Sequence, residues 1–267
     1  MDLTSSYRRG SRFAPDAIRL ASRFMETYSP RTGLDLRDIR LADVGNVECG
    51  VDVGGSLLNI EDAIGLVHSS GKKPILFGGE HTVTLGALRA LKPDIVVDLD
   101  AHLDLRDELL GLRLSHATFM RRALEELDFR LAILGCRALS GEEVEFARDN
   151  PDRVRIVSSL DLQREGLISG LGFVMEWLES ASSAYLSIDL DVLDPSSAPA
   201  VGNPSPEGIG VGQLMDIVSG VLDKRFLGLD LTEVTPHYDS GLTATLAAYL
   251  ALEIAYCMEA RSQNPQP

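Results

Sequence analysis

The chain has 267 residues, 45% of them hydrophobic and 24% charged, and its formal net charge is −15 at pH 7. This acidic balance argues against nucleic acids and anionic membranes as partners. It is compatible with a cationic substrate or with metal binding, and also with a surface whose acidity only aids solubility. No apolar run approaches the ~20 residues of a membrane span, and the N-terminus lacks the apolar segment of a signal peptide.

Short apolar runs alternate with longer segments of helical periodicity along the chain. In chain order, the predicted strands are 39–45, 74–79, 94–100, 130–136, 154–159, 184–191 and 225–231. The predicted helices lie near 14–27, 57–71, 82–91, 116–127, 140–149, 167–181, 210–223 and 243–260. Strands that are apolar on both faces and separated by helices indicate an α/β fold with a mostly parallel central sheet between two helical layers. In such sheets, ligands bind beyond the carboxyl ends of the strands.

Polar side chains cluster where three of these predicted strands end. The clusters lie in the segments GGEH (78–81), DLDAHLD (98–104) and DLDVLD (189–194). Because side chains at i and i+2 of a strand share a face, we expect Asp100 to converge with His102, and Asp189 with Asp191. Asp104 keeps this phase if the backbone stays extended.

Several carboxylates at one sheet edge repel each other, by about 4 kcal/mol for a pair ~4 Å apart at an effective dielectric near 20. A cation removes this conflict. The carboxylates and imidazoles suffice for two metal ions ~3.5–4 Å apart, which can polarise one bridging water into a nucleophile. An oxygen-rich ligand set with one imidazole per ion favours manganese over zinc.

A single aspartate at a strand end is more often a helix cap or turn residue, and Asp194 before Pro195 fits that interpretation. An isolated histidine is likewise more often structural. The joint pattern of Asp-x-His-x-Asp at one strand end and Asp-x-Asp at another favours a metal centre instead.

Four segments carry a resemblance to the ureohydrolase family of arginase, agmatinase and related guanidino hydrolases. They are GGEHTVT (78–84), DLDAHLDLRDELLGLRLSHATFMRR (98–122), SIDLDVLDPSSAPAVGNPSPEG (187–208) and DLTEVTPHYD (230–239). The chain looks most like the short bacterial and archaeal agmatinases. The resemblance implies one arginase-like domain over residues 1–267, two Mn²⁺ ions per chain and a homo-oligomer, trimeric or hexameric.

The resemblance also assigns roles to individual residues. One manganese ion would be held by His81, Asp100, Asp104 and Asp189. The other would be held by Asp100, His102, Asp189 and Asp191. Among the catalytic residues, Glu233 matches the acid that hydrogen-bonds the guanidinium, His116 matches the mobile proton-shuttling histidine, and Asp104 would receive the proton of the metal-bridging hydroxide. From the residues alone, both Glu233 and His116 are equally compatible with surface positions.

The sequence departs from the family pattern at several positions. Glu80 stands where aspartate is usual, and Asp98 stands where histidine or another non-acidic residue is common. Leu103 replaces a common threonine. Asp98 lies deeper in its strand, and we expect it to hydrogen-bond a metal ligand. In the cleft-bordering loop, Asn203 and Ser205 replace the usual threonine and glutamate, which concerns the substrate tail more than the chemistry.

The predicted activity is hydrolysis of a cationic guanidino substrate, with agmatine giving putrescine and urea, as a step of polyamine biosynthesis. Asp107 and Glu108 in the loop 105–115 suit a terminal ammonium, whereas Arg106 and Arg113 could bind an acid. Aminopropylagmatine, guanidinobutyrate, arginine and formimidoylglutamate are alternatives. Different classes are a non-catalytic metal-binding oligomer and a single-zinc deacetylase-like hydrolase, the latter opposed by the complete ligand set.

The cysteines indicate the cellular compartment. Cys49, Cys136 and Cys257 are odd in number and widely spaced, without a Cys-x-x-Cys zinc motif. This usage is typical of a reducing environment without a disulfide framework. We therefore expect a cytoplasmic protein.

Overall fold

One parallel sheet organises the fold. The computed structural model describes residues 1–165 and 167–263. The strands are β1 (Ile75–Phe77), β2 (Ile95–Leu99), β3 (Arg130–Cys136), β4 (Val154–Ser158), β5 (Ala184–Asp189) and β6 (Phe226–Thr232). They lie in the order β1-β6-β5-β2-β3-β4, and each neighbouring pair is parallel. The predicted parallel α/β fold is confirmed.

Helices cover both faces of the sheet. They are α1 (Ala14–Ser22), α2 (Val53–Ser69), α3 (Val83–Leu91), α4 (Phe119–Glu126), α5 (Gly141–Asp149), α6 (Ser159–Glu165), α7 (Leu167–Ser180), α8 (Val211–Val221) and α9 (Leu242–Gln263). One buried cluster joins α1, α6, α7, α8 and α9 to the sheet, and another joins α2, α3, α4 and α5 to the opposite face.

Strand β2 lies between β5 and β3 and is buried along its whole length. Ile95, Val97 and Leu99 belong to the first cluster, whereas Val96 belongs to the second. This alternation is the period of two that a strand imposes on its side chains. It also explains why the sequence is apolar at both phases before Asp98 interrupts it.

Two sequence expectations about secondary structure are wrong. The segment 39–45 is irregular and not a strand, because only Ile39 is buried there while Leu41 and Val44 are 52% and 81% exposed. Helix α6 was not predicted and follows β4 without a linker. Ser158 marks its start, since the Ser158 hydroxyl donates to Asp161 and accepts from the Asp161 N–H, as in a capping box.

Helix α9 differs from the expectation that no segment resembles a membrane span. Its stretch Leu242–Arg261 is long and apolar enough to cross a membrane by length and composition. However, 61% of the most apolar window is buried within the protein. Ala247, Leu250 and Ile254 lie in the same cluster as α1 and α8. The pattern is that of a core helix packed against the sheet.

Candidate metal centre

The candidate site lies at the carboxyl ends of four neighbouring strands. Strands β1, β6, β5 and β2 are consecutive in the sheet. Because all are parallel, the segments that follow them meet at one edge. His81 follows β1, Glu233 follows β6, Asp189 ends β5, and Asp100 follows β2.

His81 is at the centre of one group of side chains that could bind a metal ion. Its Nδ1 atom lies 3.0 Å from Asp100 Oδ2, 3.3 Å from Asp104 Oδ2 and 3.4 Å from Asp189 Oδ2. The imidazole is 1% exposed. His81, Asp100 and Asp104 can offer ligand atoms within 4.8 Å of one another, a spacing that suits a shared cation.

His102 is at the centre of a second group. Its Nδ1 atom lies 3.1 Å from Asp191 Oδ2 and 3.4 Å from Asp100 Oδ1. Asp100, His102 and Asp191 again offer ligand atoms within 4.8 Å of one another. Asp100 therefore contributes to both groups, with one carboxylate oxygen facing each imidazole.

The side chains converge by a different route from the one that the strand spacing predicted. Strand β2 ends at Leu99, so Asp100, His102 and Asp104 do not lie on an extended backbone. Asp104 has a φ of 53°, in the left-handed region. Asp100 Oδ1 instead accepts the His102 N–H at 2.6 Å, so a tight turn brings Asp104 to His81.

The Asp-x-Asp pair behaves similarly. Asp189 is the last residue of β5, and Asp191 lies in the 3-10 turn Leu190–Val192. Asp189 Oδ1 accepts the Asp191 N–H at 2.8 Å. The turn, and not strand phase, therefore places the two carboxylates beside each other.

Burial makes the cluster electrostatically unfavourable without a cation. Burial and repulsion from Asp100 raise the pKa of Asp104 to about 7. Burial would also raise the pKa of Asp100, but its close contacts with the imidazoles of His102 and His81 hold it below its usual range. The buried atoms His81 Nδ1 and Asp100 Oδ2 have no hydrogen-bond partner among the described residues. Lone pairs that face one another in this way fit a metal ion.

Glu233 is fixed beside this cluster. It follows β6 with a φ of 63° and is 3% exposed. Its Oε1 atom accepts the His81 N–H at 2.9 Å. Burial, reinforced by the charge of Glu80, raises the pKa of Glu233 to about 8. A bound planar cation would favour the ionised form of this buried acid, and the carboxylate could then pair with the cation through both oxygens.

His116 lies before α4 and not at its start, because Ser115 and Thr118 form a hydrogen-bonded turn that delays the helix to Phe119. The residue is 6% exposed. Its Nε2 atom lies 3.1 Å from Ser6 Oγ. Burial, followed by repulsion from His102, lowers the pKa of His116 to about 4, so the ring is neutral near pH 7.

The sequence did not identify all the residues that contact the His81 imidazole. Ser187 Oγ lies 2.8 Å from His81 Nε2 and donates to Asp230, which also accepts from Tyr185. The position of Ser187, two residues before Asp189, was an available signal. We expected Asp98 to hydrogen-bond a metal ligand, but its Oδ1 atom is 3.7 Å from His81 Nε2. Neither Asp98 oxygen has a hydrogen-bond partner among the described residues.

The loop 105–115 was expected to bind the substrate tail, but only one of its two acidic side chains is free of ion pairs in the described part of the chain. Asp107 Oδ1 contacts Arg113 at 3.2 Å and Arg122 at 2.8 Å. The Asp107 charge is thereby neutralised, so its expected role toward an ammonium group is not supported. The next residue, Glu108, is exposed, and it forms no ion pair with the described residues.

Comparison with known proteins gives a consistent result over nearly the whole chain. Residues 1–257 match the model of the arginase family. The chain is 35% identical to an agmatinase of Bacillus subtilis over 95% of this chain and 88% of that protein. It is 33% identical to a guanidinobutyrase of Pseudomonas aeruginosa, over 95% and 82% of the two chains. The crystal structure of an agmatine ureohydrolase of Thermoplasma volcanium superposes with a TM-score of 0.88 and 38% identity, covering 98% of this chain and 89% of that one.

Proposed function

Because this chain belongs to the arginase family, we propose that it is a manganese-dependent ureohydrolase that converts agmatine to putrescine and urea. The predictions of the family and of a hydrolase acting on guanidino C–N bonds are confirmed by the family match. The observation that carries the proposal is the position of Asp100, which belongs to both ligand groups. A carboxylate shared in this way supports a two-ion centre.

The proposed ligands divide between two manganese ions. His81, Asp100, Asp104 and Asp189 would hold one ion, and Asp100, His102, Asp189 and Asp191 would hold the other. When bound, a manganese pair supplies a water of lowered pKa as the nucleophile near neutral pH. The close approach of Asp104 and Asp189 to His81 Nδ1 supports this division.

The protein itself would orient the substrate. Glu233 would hold the guanidinium through paired hydrogen bonds, and the contact between its Oε1 and the His81 N–H keeps the carboxylate beside the ligand cluster. Holding the guanidinium carbon near the attacking water converts a bimolecular encounter into a positioned reaction. Water adds to that carbon, the C–N bond to the substrate tail breaks, and urea and an amine result.

Proton transfer would involve two further residues. Asp104, whose carboxylate lies 3.3 Å from His81 Nδ1 within the ligand cluster, would accept the proton lost by the water and pass it to the departing amine nitrogen. His116, neutral near pH 7, would then exchange protons between this nitrogen and solvent.

Several observations bear on the choice of substrate. The net charge of −15 favours attraction of a polycation, and the exposed Glu108 would pair with a terminal ammonium. Similarity to an agmatinase and to an agmatine ureohydrolase supports agmatine. Similarity to a guanidinobutyrase keeps guanidinobutyrate as an alternative, together with aminopropylagmatine and arginine.

A substrate panel tests the proposal. The metal-stripped chain is reloaded with Mn²⁺, and urea release is measured with agmatine, aminopropylagmatine, arginine and guanidinobutyrate. We expect the highest kcat/KM with agmatine. Glu233→Gln should abolish most urea release, whereas Glu26→Gln, at an exposed acid outside the four motif segments, should not change it. If no compound yields urea, the proposed function is wrong.

One variant, one comparison of substrates and one metal analysis separate the alternatives. Glu108→Gln should lower kcat/KM for agmatine more than for guanidinobutyrate, because only agmatine has a terminal ammonium. If guanidinobutyrate released urea faster than agmatine did, the proposed substrate would be wrong, but the proposed reaction would stand. Two manganese ions per chain are expected by elemental analysis; one ion would favour a single-metal hydrolase, and two ions without turnover would favour a non-catalytic protein.

We also propose that residues 1–267 form one catalytic domain, that the chain assembles as a trimer or hexamer, and that it acts in the cytoplasm. The free thiols of Cys49, Cys136 and Cys257 support a reducing compartment. Light scattering after size-exclusion chromatography would measure the assembly, and a monomer would contradict it.

A further inference from the structure

The N-terminal segment lies across the candidate site. We define the N-terminal strap as residues 2–8. At one end, Asp2 accepts the Gly10 N–H at 2.9 Å and pairs with Arg12 at 2.7 Å. At the other end, the Arg8 N–H donates to the Gly202 carbonyl at 3.3 Å, and the Arg8 guanidinium donates to the Pro199 carbonyl at 2.9 Å. The strap is therefore attached to the loop that follows β5.

Glu80 attaches the middle of the strap to the end of β1. Its Oε2 atom accepts the Thr4 N–H at 2.7 Å and lies 3.4 Å from the Ser5 hydroxyl. Glu80 is fully buried and is next to His81. The extra methylene of glutamate, compared with aspartate, thus lengthens the reach of a buried carboxylate toward the strap.

The strap holds His116 at two points. The Thr4 hydroxyl oxygen accepts the His116 N–H at 2.9 Å. Ser6 Oγ lies 3.1 Å from Nε2 of the same residue. The other ring nitrogen, Nδ1, is buried and has no hydrogen-bond partner in the part of the chain described. One nitrogen is thus held by the strap, while the other is left for a ligand.

We propose that Ser6 is a positioning residue that holds the His116 imidazole in one orientation and one tautomer, with the Nε2–H donating to Ser6 Oγ. The proposal rests on the proposed function for the role of His116 in proton transfer. In this tautomer, Nδ1 presents a lone pair. Because Nδ1 has no acceptor among the described residues, a proton there would be unpaired, whereas a proton on Nε2 can be donated to Ser6 Oγ. The free Nδ1 can then take a proton from the substrate, and the bond to Ser6 keeps the ring from turning away.

Nuclear magnetic resonance tests this contact without turnover. The chain has five histidines, so ¹⁵N-histidine labelling of the full-length, metal-free protein gives few ring signals, and His116→Gln assigns those of His116. We expect a single Nε2–H tautomer in the wild type. Ser6→Ala should produce a mixture of tautomers, and Ser6→Thr, which keeps the hydroxyl, should restore the single one.

Kinetics with the manganese-loaded protein provide the second readout. Ser6→Ala should lower kcat about tenfold, a part of the 10²–10⁴-fold that positioned acid–base groups contribute, while KM changes less than twofold. Ser6→Thr should recover most of kcat. Ser22→Ala removes a surface hydroxyl that donates to the Arg19 carbonyl in α1, and it should leave both parameters unchanged.

The outcomes separate this inference from the proposed function. An Nδ1–H tautomer in the wild type, or equal tautomer populations in the wild type and Ser6→Ala, overturns the role of Ser6. Unchanged kcat in Ser6→Ala overturns it as well. If the wild type releases no urea from any substrate, the proposed function fails, but the ring signals still decide whether Ser6 holds His116.

Discussion

Gly202 offers a direct test of the guanidinium-binding role of Glu233. A Cβ atom added at Gly202 would lie 2.4 Å from Glu233 Oε2 and 3.4 Å from its Cδ. Gly202 does not have a positive φ, so Gly202→Ala introduces no backbone strain. The substitution therefore displaces one carboxylate and leaves the proposed metal ligands untouched.

The magnitude follows from the required displacement. Carbon and oxygen atoms approach to about 3.3 Å, so Oε2 must retreat by about 1 Å. The carboxylate cannot move freely, because Oε1 is held by the His81 N–H at 2.9 Å. A misplacement of about 1 Å in a positioned reaction can reduce the rate about 100-fold. This corresponds to about 2.7 kcal/mol, within the 1.5–3 kcal/mol typical of a hydrogen bond to a charged group.

The assay is urea release with manganese supplied, together with metal analysis of the same samples. We expect kcat/KM of Gly202→Ala to fall about 100-fold while manganese content equals that of the wild type. Gly212→Ala is the matched control, because Gly212 lies in α8 with no atom within 4 Å of an added Cβ. Wild-type kcat/KM in Gly202→Ala would refute the assignment of Glu233. Loss of manganese would show that the substitution disturbs the whole site.

Three further predictions concern a proposed metal ligand and the titration of buried carboxylates in and beside the ligand cluster. Asp189→Asn should lower the manganese content below that of the wild type. It should also reduce urea release roughly 100-fold or more, because a metal ion contributes several kcal/mol of transition-state stabilisation. Near-wild-type turnover would contradict the bridging role. Burial raises the pKa of Asp104 to about 7 and of Glu233 to about 8, so the metal-free folded state binds more protons than the unfolded state. The free energy of unfolding should therefore fall as the pH rises from 6.5 to 8. The slope should be at most about 1.4 kcal/mol per pH unit for each extra proton bound. Denaturation in urea should show this slope, and saturating Mn²⁺ should remove it. Burial also raises the pKa of Asp98, so its folded form holds a proton that the unfolded chain loses as the pH rises. Metal-free Asp98→Asn should therefore be more stable than wild type at pH 8, and the difference should shrink at pH 4. Equal stability at both pH values would contradict a raised pKa at Asp98.

The central sheet was predictable because its strands are short apolar runs, separated by segments with the periodicity of helices. The segments 130–136 and 94–100 illustrate this, since both became buried parallel strands. The segment 39–45 has a similar composition, but its apolar side chains find no buried surface, so tertiary packing overrides local propensity. Helix α6 was not predicted, because its first turn follows β4 without a linker and only the Ser158–Asp161 pair marks the boundary between them.

The clustering of the candidate ligand residues at one sheet edge was predictable from the sequence, but the backbone conformation that brings them together was not. An extended strand can direct alternate side chains to one face, yet it separates residues four apart by about 13 Å along its axis. Asp104 could not reach His81 in that way. The chain instead reverses through a left-handed residue at Asp104, and Glu233 enters the site through another. Such conformations cost about 1–2 kcal/mol in residues other than glycine, and no regularity of the sequence announces them. Both left-handed residues carry carboxylates of one buried cluster. This supports a functional site, because strained backbone persists only where the surrounding structure maintains it, and such strain is concentrated at functional sites.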